Sequence, residues 1–201
     1  MADGIKHEVA SAVLAGIDRL LPDLEALYRD VHAHPELSMH ETRTAGLAAA
    51  GLEKAGYELT TGVGKTGVVG LLRNGEGPTV MLRADMDALP VAENTGLPYA
   101  SQITATDAEG NTVPVAHMCG HDMHVAWLVG AATLLAQARA GWKGTLMAVF
   151  QPGEETAQGA RAGRCGGGGL VDRARPRPDG GPAGRISAMA GGRSKTPDLV
   201  R

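Results

Sequence analysis

Apolar and polar positions along the chain alternate between two periods, and the change of period divides the sequence into helices and strands. Residues 5 to 34 read as helical. Pro22 suits the first turn of a second helix, in which Leu24, Leu27, Tyr28 and Val31 form the apolar stripe and Asp23, Glu25, Arg29 and Asp30 face water. The segment HAHPE (32 to 36) ends that helix, because Pro35 disfavours helical geometry at His34. A further amphipathic helix is expected over 41 to 55, stopped by Gly56. Beyond it, YELTTG, GVVGLL and TVMLRA each read as short strands, with Asn74-Gly75 as a turn signal between the last two. Residues 121 to 139 return to helix. KGTLMAVF (143 to 150) is nearly continuously apolar, as a strand buried on both faces should be. Strands alternating with helices predict an α/β fold, a three-layer sandwich on a mixed, mostly parallel sheet.

Composition adds one boundary. Apolar residues make up 43% of the 201-residue chain but aromatics only 3%, so the core must be built from Ala, Val and Leu. From residue 163 onward, seven Arg and one Lys face three Asp, a surplus of +5 that leaves −8 for the first 162 residues. The same stretch holds ten Gly and no aromatic residue. It shows no helical or strand period, and such a composition cannot bury enough apolar area to offset its ordering entropy. Two units follow: a folded part over 1 to 162, and a Gly/Arg/Pro-rich tail over 163 to 201 that is expected to be disordered.

The net charge of −3 argues against nucleic acid or an acidic membrane surface as partner. The longest apolar stretch, 125 to 136, is broken by Gly and Thr and falls short of a membrane span. The N-terminal MADGIKHEVA lacks the apolar run of a signal peptide, so a cytoplasmic location is the default expectation. Two cysteines cannot build a disulfide framework. Cys165 lies among glycines and receives no role, whereas Cys119 sits among histidines.

Candidate chemistry gathers at three loci, two just after predicted strands and one just before a helix, where ligands of open α/β sheets collect. The first is RADMDALP. Asp85 and Asp87 are two apart and would share one side of an extended chain, as metal ligands or as groups that orient ligands. A strand ending in an Asp cap is the plainer alternative. The second is AHMCGHDMH (116 to 124). Here Cys119 and His121 offer a thiolate and an imidazole on either side of Gly120, and His117, Asp122 and His124 lie within reach as supporting groups. Zinc suits both donors, and imidazole also suits manganese, cobalt or nickel. A buried Cys beside helix-capping histidines is the alternative, which three His, one Cys and one Asp in so short a stretch disfavour. The third is FQPGEE (150 to 155), where Pro152 and Gly153 turn the chain after a buried strand. One of Glu154 and Glu155 could bind an ion while its neighbour deprotonates water; a solvated pair at a helix N-terminus is the alternative. GVGKTG (62 to 67) is a decoy. Leu59 stands where a phosphate-binding loop requires Gly, and VVGLL after it reads as a strand.

HAHPELSMHET, RADMDALP, HMCGHDMH and FQPGEE, in this order and spacing, closely resemble hippurate hydrolases and related N-acyl-amino-acid amidohydrolases. Plant auxin-conjugate hydrolases belong to the same group, within the aminoacylase and carboxypeptidase G class of two-metal peptidases. The resemblance covers roughly residues 25 to 162. It implies that Cys119 bridges or ligates a pair of divalent ions (Mn, Zn, Co or Ni), that His121 and Glu155 are further ligands, and that Glu154 is the general base. Asp87 takes the place of an acid that orients the metal centre. The implied reaction is hydrolysis of a small N-acyl amino acid to a carboxylic acid and a free amino acid. The resemblance also implies a His ligand soon after the glutamates, another near the C-terminus, and a second domain that dimerises.

The chain departs from that pattern, since all seven histidines lie at or before His124. The expectation is an N-terminal part of the catalytic domain, ended by a reading-frame change or sequence error near codons 162 to 165. An inactive remnant that binds at most one ion is the competing expectation. An incomplete sheet should also expose the apolar face of residues 145 to 150 and favour self-association.

Overall fold

The structure, a computed structural model, describes residues 2 to 159 and 187 to 188, with side chains from residue 8 to residue 159. The chain opens with two helices, α1 (Ala2–Leu14) and α2 (Ile17–Ala33). Helix α2 begins earlier than its sequence suggests. Gly16 is the N-cap, and Pro22 lies inside the helix rather than in its first turn. Pro22 has no N–H for the Asp18 carbonyl and its ring crowds that carbonyl, yet the helix continues through it to Ala33. Helix α3 (Thr42–Lys54) follows, and the chain leaves it through Gly56 at φ +81°. The Glu36 carboxylate caps α3 from outside, accepting hydrogen bonds from the backbone N–H groups of Arg43 and Thr44 at 2.9 and 2.8 Å.

Three strands come next, β1 (Glu58–Val63), β2 (Gly67–Asn74) and β3 (Thr79–Asp85). A small hairpin, β4 (Thr104–Thr106) with β5 (Thr112–Pro114), precedes α4 (His121–Gln137) and β6 (Gly144–Gln151). Asn74-Gly75 does turn the chain, with Gly75 at φ +81°, but β2 and β3 do not pair. Strand β6 inserts between them, antiparallel to β2 and parallel to β3. With a two-residue strand β7 (Ser187–Ala188) at the edge, the sheet order is β1-β2-β6-β3-β7, and its ladders are two antiparallel and two parallel. The sheet is mixed, as the alternation of elements implies.

The described helices lie on one face. Val31, Ala48, Leu52, Val125, Leu128 and Val129 pack there against Val68, Leu72, Leu146, Ala148 and Phe150 of the sheet. A helix layer on the other face would have to come from outside the described residues. That face carries Val69, Met147 and Val149, with Val63, Leu71 and Met81 around them. The expected exposure of β6 is not found: Met147 and Val149 are only 2% and 3% exposed. The strand is thus buried on both sides, as its sequence predicts. The expected disordered tail and frame change lie outside the described residues, β7 excepted.

Register fixes where the functional loops emerge. Asp85, the last residue of β3, pairs with Gln151, the last of β6, so both strands end at the same edge of the sheet. Past this edge, Ala88 bridges to Leu37 and Leu89 to Ala116, and the Ala88 N–H bonds the Glu36 carbonyl at 2.8 Å. Residues 32 to 41, 85 to 90, 116 to 124 and 151 to 155 are thereby drawn together from four distant parts of the chain.

Candidate metal centre

Helix α4 starts at this sheet edge with Gly120 as its N-cap, at φ +78° in the left-handed region that glycine tolerates. This turn sends His121 inward, where it is 4% exposed, and leaves Cys119 exposed. His121 Nδ1 donates to the Asp87 carbonyl at 2.8 Å and lies 3.4 Å from Asp87 Oδ1. With Nδ1 committed as a donor, Nε2 is the ring nitrogen that keeps a lone pair for an ion.

Asp87 is buried at 1% and accepts hydrogen bonds from Ser38 Oγ at 2.6 Å and from the Glu155 backbone N–H at 2.9 Å. Burial alone would raise its carboxyl. The contact with His121, the Ser38 hydroxyl and the backbone N–H groups of Glu155 and Glu154 outweigh that and hold it at about 2. Burial likewise works against the His121 imidazolium, but the side chain and carbonyl of Asp87 and the charge of Asp85 overcome it and lift the imidazole to about 9.

The glutamates leave β6 through Pro152 and Gly153. Gly153 has φ +56°, a conformation that favours glycine, and a Cβ there would stand 2.7 Å from Met39 Sδ. Its N–H donates to Glu41 Oε1 at 2.8 Å. Glu41 is fully buried and also accepts from the Met39 N–H at 2.8 Å and from Thr66 Oγ1 at 2.5 Å. One carboxylate therefore ties the glutamate loop to the start of α3 and to the β1–β2 turn.

His121, Glu154 and Glu155 each present a donor atom, all within 4.8 Å of one another. The Glu155 side chain is 17% exposed, and its Oε1 is buried with no hydrogen-bond partner among the described residues. Glu154 is open to solvent, with Oε2 3.9 Å from His121 Nε2. Cys119 lies outside that trio but reaches Glu155 through a side-chain hydrogen bond. This bond, partial burial and the charges of Glu155, Glu154 and Asp87 push its thiol up to about 11. His117 is buried with neither ring nitrogen bonded among the described residues, and burial lowers it to about 4.

Such a donor set fits a divalent ion. An imidazole and two carboxylates converge, with a thiol beside them, and a buried carboxylate oxygen has no hydrogen-bond partner among the described residues. Sequence reasoning put Cys119, His121 and Glu155 forward as metal ligands, with Glu154 and Asp87 beside them; the structure gathers His121, Glu154 and Glu155 next to Asp87 and leaves Cys119 exposed outside that trio. It missed Glu41 and Ser38. Both lie in the HAHPELSMHET segment, but nothing local marks either as a buried partner of residues far along the chain. It also missed His32, held between Asp122 and Glu93.

Comparisons with known proteins point the same way. Residues 81 to 180 match the family "Peptidase family M20/M25/M40". Among curated proteins, the chain is 45% identical over 135 residues to an N-acetylcysteine deacetylase of Bacillus subtilis, covering 66% of this chain and 33% of that protein. It is 43% identical over 141 residues to the hippurate hydrolase of Campylobacter jejuni, covering 70% and 34%. Against IAA-amino acid hydrolase ILR1-like 2 of Arabidopsis thaliana, identity is 41% over 133 residues, covering 66% and 28%. The chain thus spans about a third of the length of the curated relatives it matches. Among solved structures, the Bacillus subtilis YXEP protein, described as a dinuclear metal binding peptidase, superposes with a TM-score of 0.64 at 40% identity, over 72% of this chain and 38% of that one. A putative aminohydrolase from methicillin-resistant Staphylococcus aureus gives 0.68 at 33% identity, over 76% and 37%. With its four motifs assembled at one sheet edge, the chain is similar over this region to proteins of peptidase family M20/M25/M40, whose family model it matches over residues 81 to 180.

Proposed function

We propose that residues 1 to 162 form part of the catalytic domain of a metal-dependent amidohydrolase that cleaves N-acyl amino acids of the hippurate type. The observation that carries this reading is the convergence of His121, Glu154 and Glu155 within 4.8 Å, backed by the buried Asp87. Relatives named for deacetylating N-acetylcysteine, hydrolysing hippurate or cleaving IAA-amino acid conjugates support the substrate class.

Cys119, His121 and Glu155 would hold the metal, with Mn, Zn, Co or Ni all compatible with these donors and a pair of ions expected by family. A bound divalent ion polarises an amide carbonyl and acidifies water. The protein supplies the rest. Asp87 fixes the His121 ring through Nδ1 and holds the Glu155 backbone, so two ligands share one anchor. Glu154 is free of such anchoring and exposed to solvent, which suits a base that must take a proton from water and pass it on.

The test is hydrolysis of N-benzoylglycine and N-acetyl amino acids by the purified chain with added manganese, zinc or cobalt, beside a Glu154→Gln control. Metal-dependent turnover that disappears in the control supports the reading, and metal-dependent turnover that survives in the control removes Glu154 as base. One observation favours a second reading, in which the chain binds a single ion and turns nothing over: His121, Glu154 and Glu155 together supply the donors of one ion. Absence of turnover in a folded, metal-loaded sample would select it.

A further inference from the structure

Asp85 and His124 flank His121 and take no part in the donor set just described. His124 lies three residues along α4, on the same face as His121, and their rings are 5.4 Å apart. Asp85 comes from the end of β3 and is 6% exposed. Its Oδ2 is held by Arg83 Nη2 at 2.8 Å, whereas its Oδ1 is buried without a hydrogen-bond partner among the described residues. A desolvated carboxylate oxygen left unpaired is costly, and a cation is the partner that relieves it. Asp85, His121 and His124 each offer a donor atom within 4.8 Å of the other two.

We propose that Asp85, His121 and His124 form a seat for one divalent transition-metal ion, distinct in its donors from the Cys119–His121–Glu155 set. Two imidazoles and a carboxylate are a complete protein ligand set for a tetrahedral ion whose fourth position is water, and they suit zinc, cobalt or nickel over magnesium or calcium. This goes beyond the proposed amidohydrolase centre, because it needs neither the thiol nor either glutamate. Both seats draw on His121, whose Nδ1 is committed to the Asp87 carbonyl. The one remaining lone pair serves one ion at a time, so the two seats compete for the same imidazole. An ion can then be retained on the Asp85–His124 side when the glutamate side is empty or damaged.

Trp127 reports on this seat. Its ring lies 5.8 Å from that of His124, and its side chain is exposed. The chain's other tryptophan, Trp142, is removed by Trp142→Phe. The experiment is a Co²⁺ titration of the Trp142→Phe chain, following Trp127 fluorescence alongside equilibrium dialysis, with folding checked by far-UV circular dichroism. Co²⁺ should quench Trp127, and quenching should persist when Cys119→Ser and Glu155→Gln are combined. His124→Asn, His124→Gln and Asp85→Asn should each weaken the apparent Kd by at least roughly tenfold. Quenching that survives the His124 and Asp85 substitutions overturns the proposal, as does quenching lost with Cys119→Ser and Glu155→Gln. In the latter case Co²⁺ binds only on the glutamate side, and the amidohydrolase reading still stands. Persistent quenching with no amide hydrolysis does the reverse. No Co²⁺ bound by dialysis in a folded sample overturns both.

Discussion

His32 donates through Nδ1 to Asp122 Oδ2 at 2.6 Å, and Asp122 is the neighbour of His121 on α4. The other ring nitrogen of His32 faces Glu93 Oε1 at 3.0 Å, and all three side chains are almost wholly covered. An imidazole between two carboxylates serves both by carrying both protons. Burial works against that charge, but the hydrogen bonds and charges of Glu93 and Asp122 prevail and raise the His32 pKa. Glu93 also accepts from Thr95 Oγ1 and from the Ser101 N–H. The triad thus pins α2, the loop around residues 93 to 101 and the start of α4 to one another.

This triad predicts a bounded window of stability. His32 is raised above 6.5, so its contribution is full below that pH and is lost as pH climbs through its folded value. Burial would raise Glu93, but hydrogen bonds from Thr95, His32 and Ser101 depress it below 4.5. Its contribution is full above 4.5 and is lost as pH falls through its folded value. Thermal midpoints of the metal-free chain from about pH 3 to about pH 9 should exceed those of His32→Gln most between these limits, with the gap narrowing on both sides. A constant gap would show that His32 is neutral.

Removing Asp87 should weaken both fold and metal binding. Asp87→Ala strands the Ser38 hydroxyl and the Glu155 N–H and removes the carboxylate beside His121, at a cost of about 1–3 kcal/mol in urea unfolding. Co²⁺ affinity should fall by roughly 10–100-fold, since the Glu155 backbone loses its anchor and His121 loses the neighbouring carboxylate while keeping its bond to the residue 87 carbonyl. Unchanged affinity would reduce Asp87 to a structural acid.

Among the described residues Glu41 hydrogen-bonds Met39, Thr66 and Gly153 rather than the metal donors, yet it should affect activity. Glu41→Ala removes the acceptor for Met39, Thr66 and Gly153 and should lower stability by about 1–3 kcal/mol, seen as a shifted urea midpoint at unchanged slope. Any turnover should drop further than the unfolded fraction explains, because the loop carrying Glu154 and Glu155 loses its tether. A loss matching the unfolded fraction would limit Glu41 to stability.

Cys119 should be accessible but sluggish in the metal-free chain. With its thiol pushed up to about 11, first of all by the hydrogen bond to Glu155, alkylation in a Cys165→Ser background should rise with pH well beyond the range of an ordinary thiol. Glu155→Gln should move that profile to lower pH. Identical profiles would mean that Glu155 does not govern the thiol.

Elements marked by a clear apolar stripe or a long apolar run were legible in the sequence: α3, α4 and β6 lie where the pattern puts them. The β4–β5 hairpin was not, because strands of three residues with half-exposed faces leave no period to read. Pro22 misled as to the start of α2, since a proline near a helix N-terminus disrupts little. Within the site, residues that announce themselves by chemical type (Cys119, His121, Glu154, Glu155) could be nominated from the sequence, and three of them, His121, Glu154 and Glu155, converge. Residues that matter through distant partners could not be. His32 depends on Asp122 ninety positions away and on Glu93 sixty-one away, and no local rule connects them.

The order β1-β2-β6-β3 also sets a sequence of events during synthesis. Strands β2 and β3 emerge early but cannot pair, because the position between them is reserved for β6. Until Gln151 has emerged, the nascent chain carries two unsatisfied edges that must wait for a long-range partner. The strand that closes this gap is also the one that delivers Glu154 and Glu155 beside His121. Closure of the sheet and assembly of the glutamate-side donors are therefore a single late folding event.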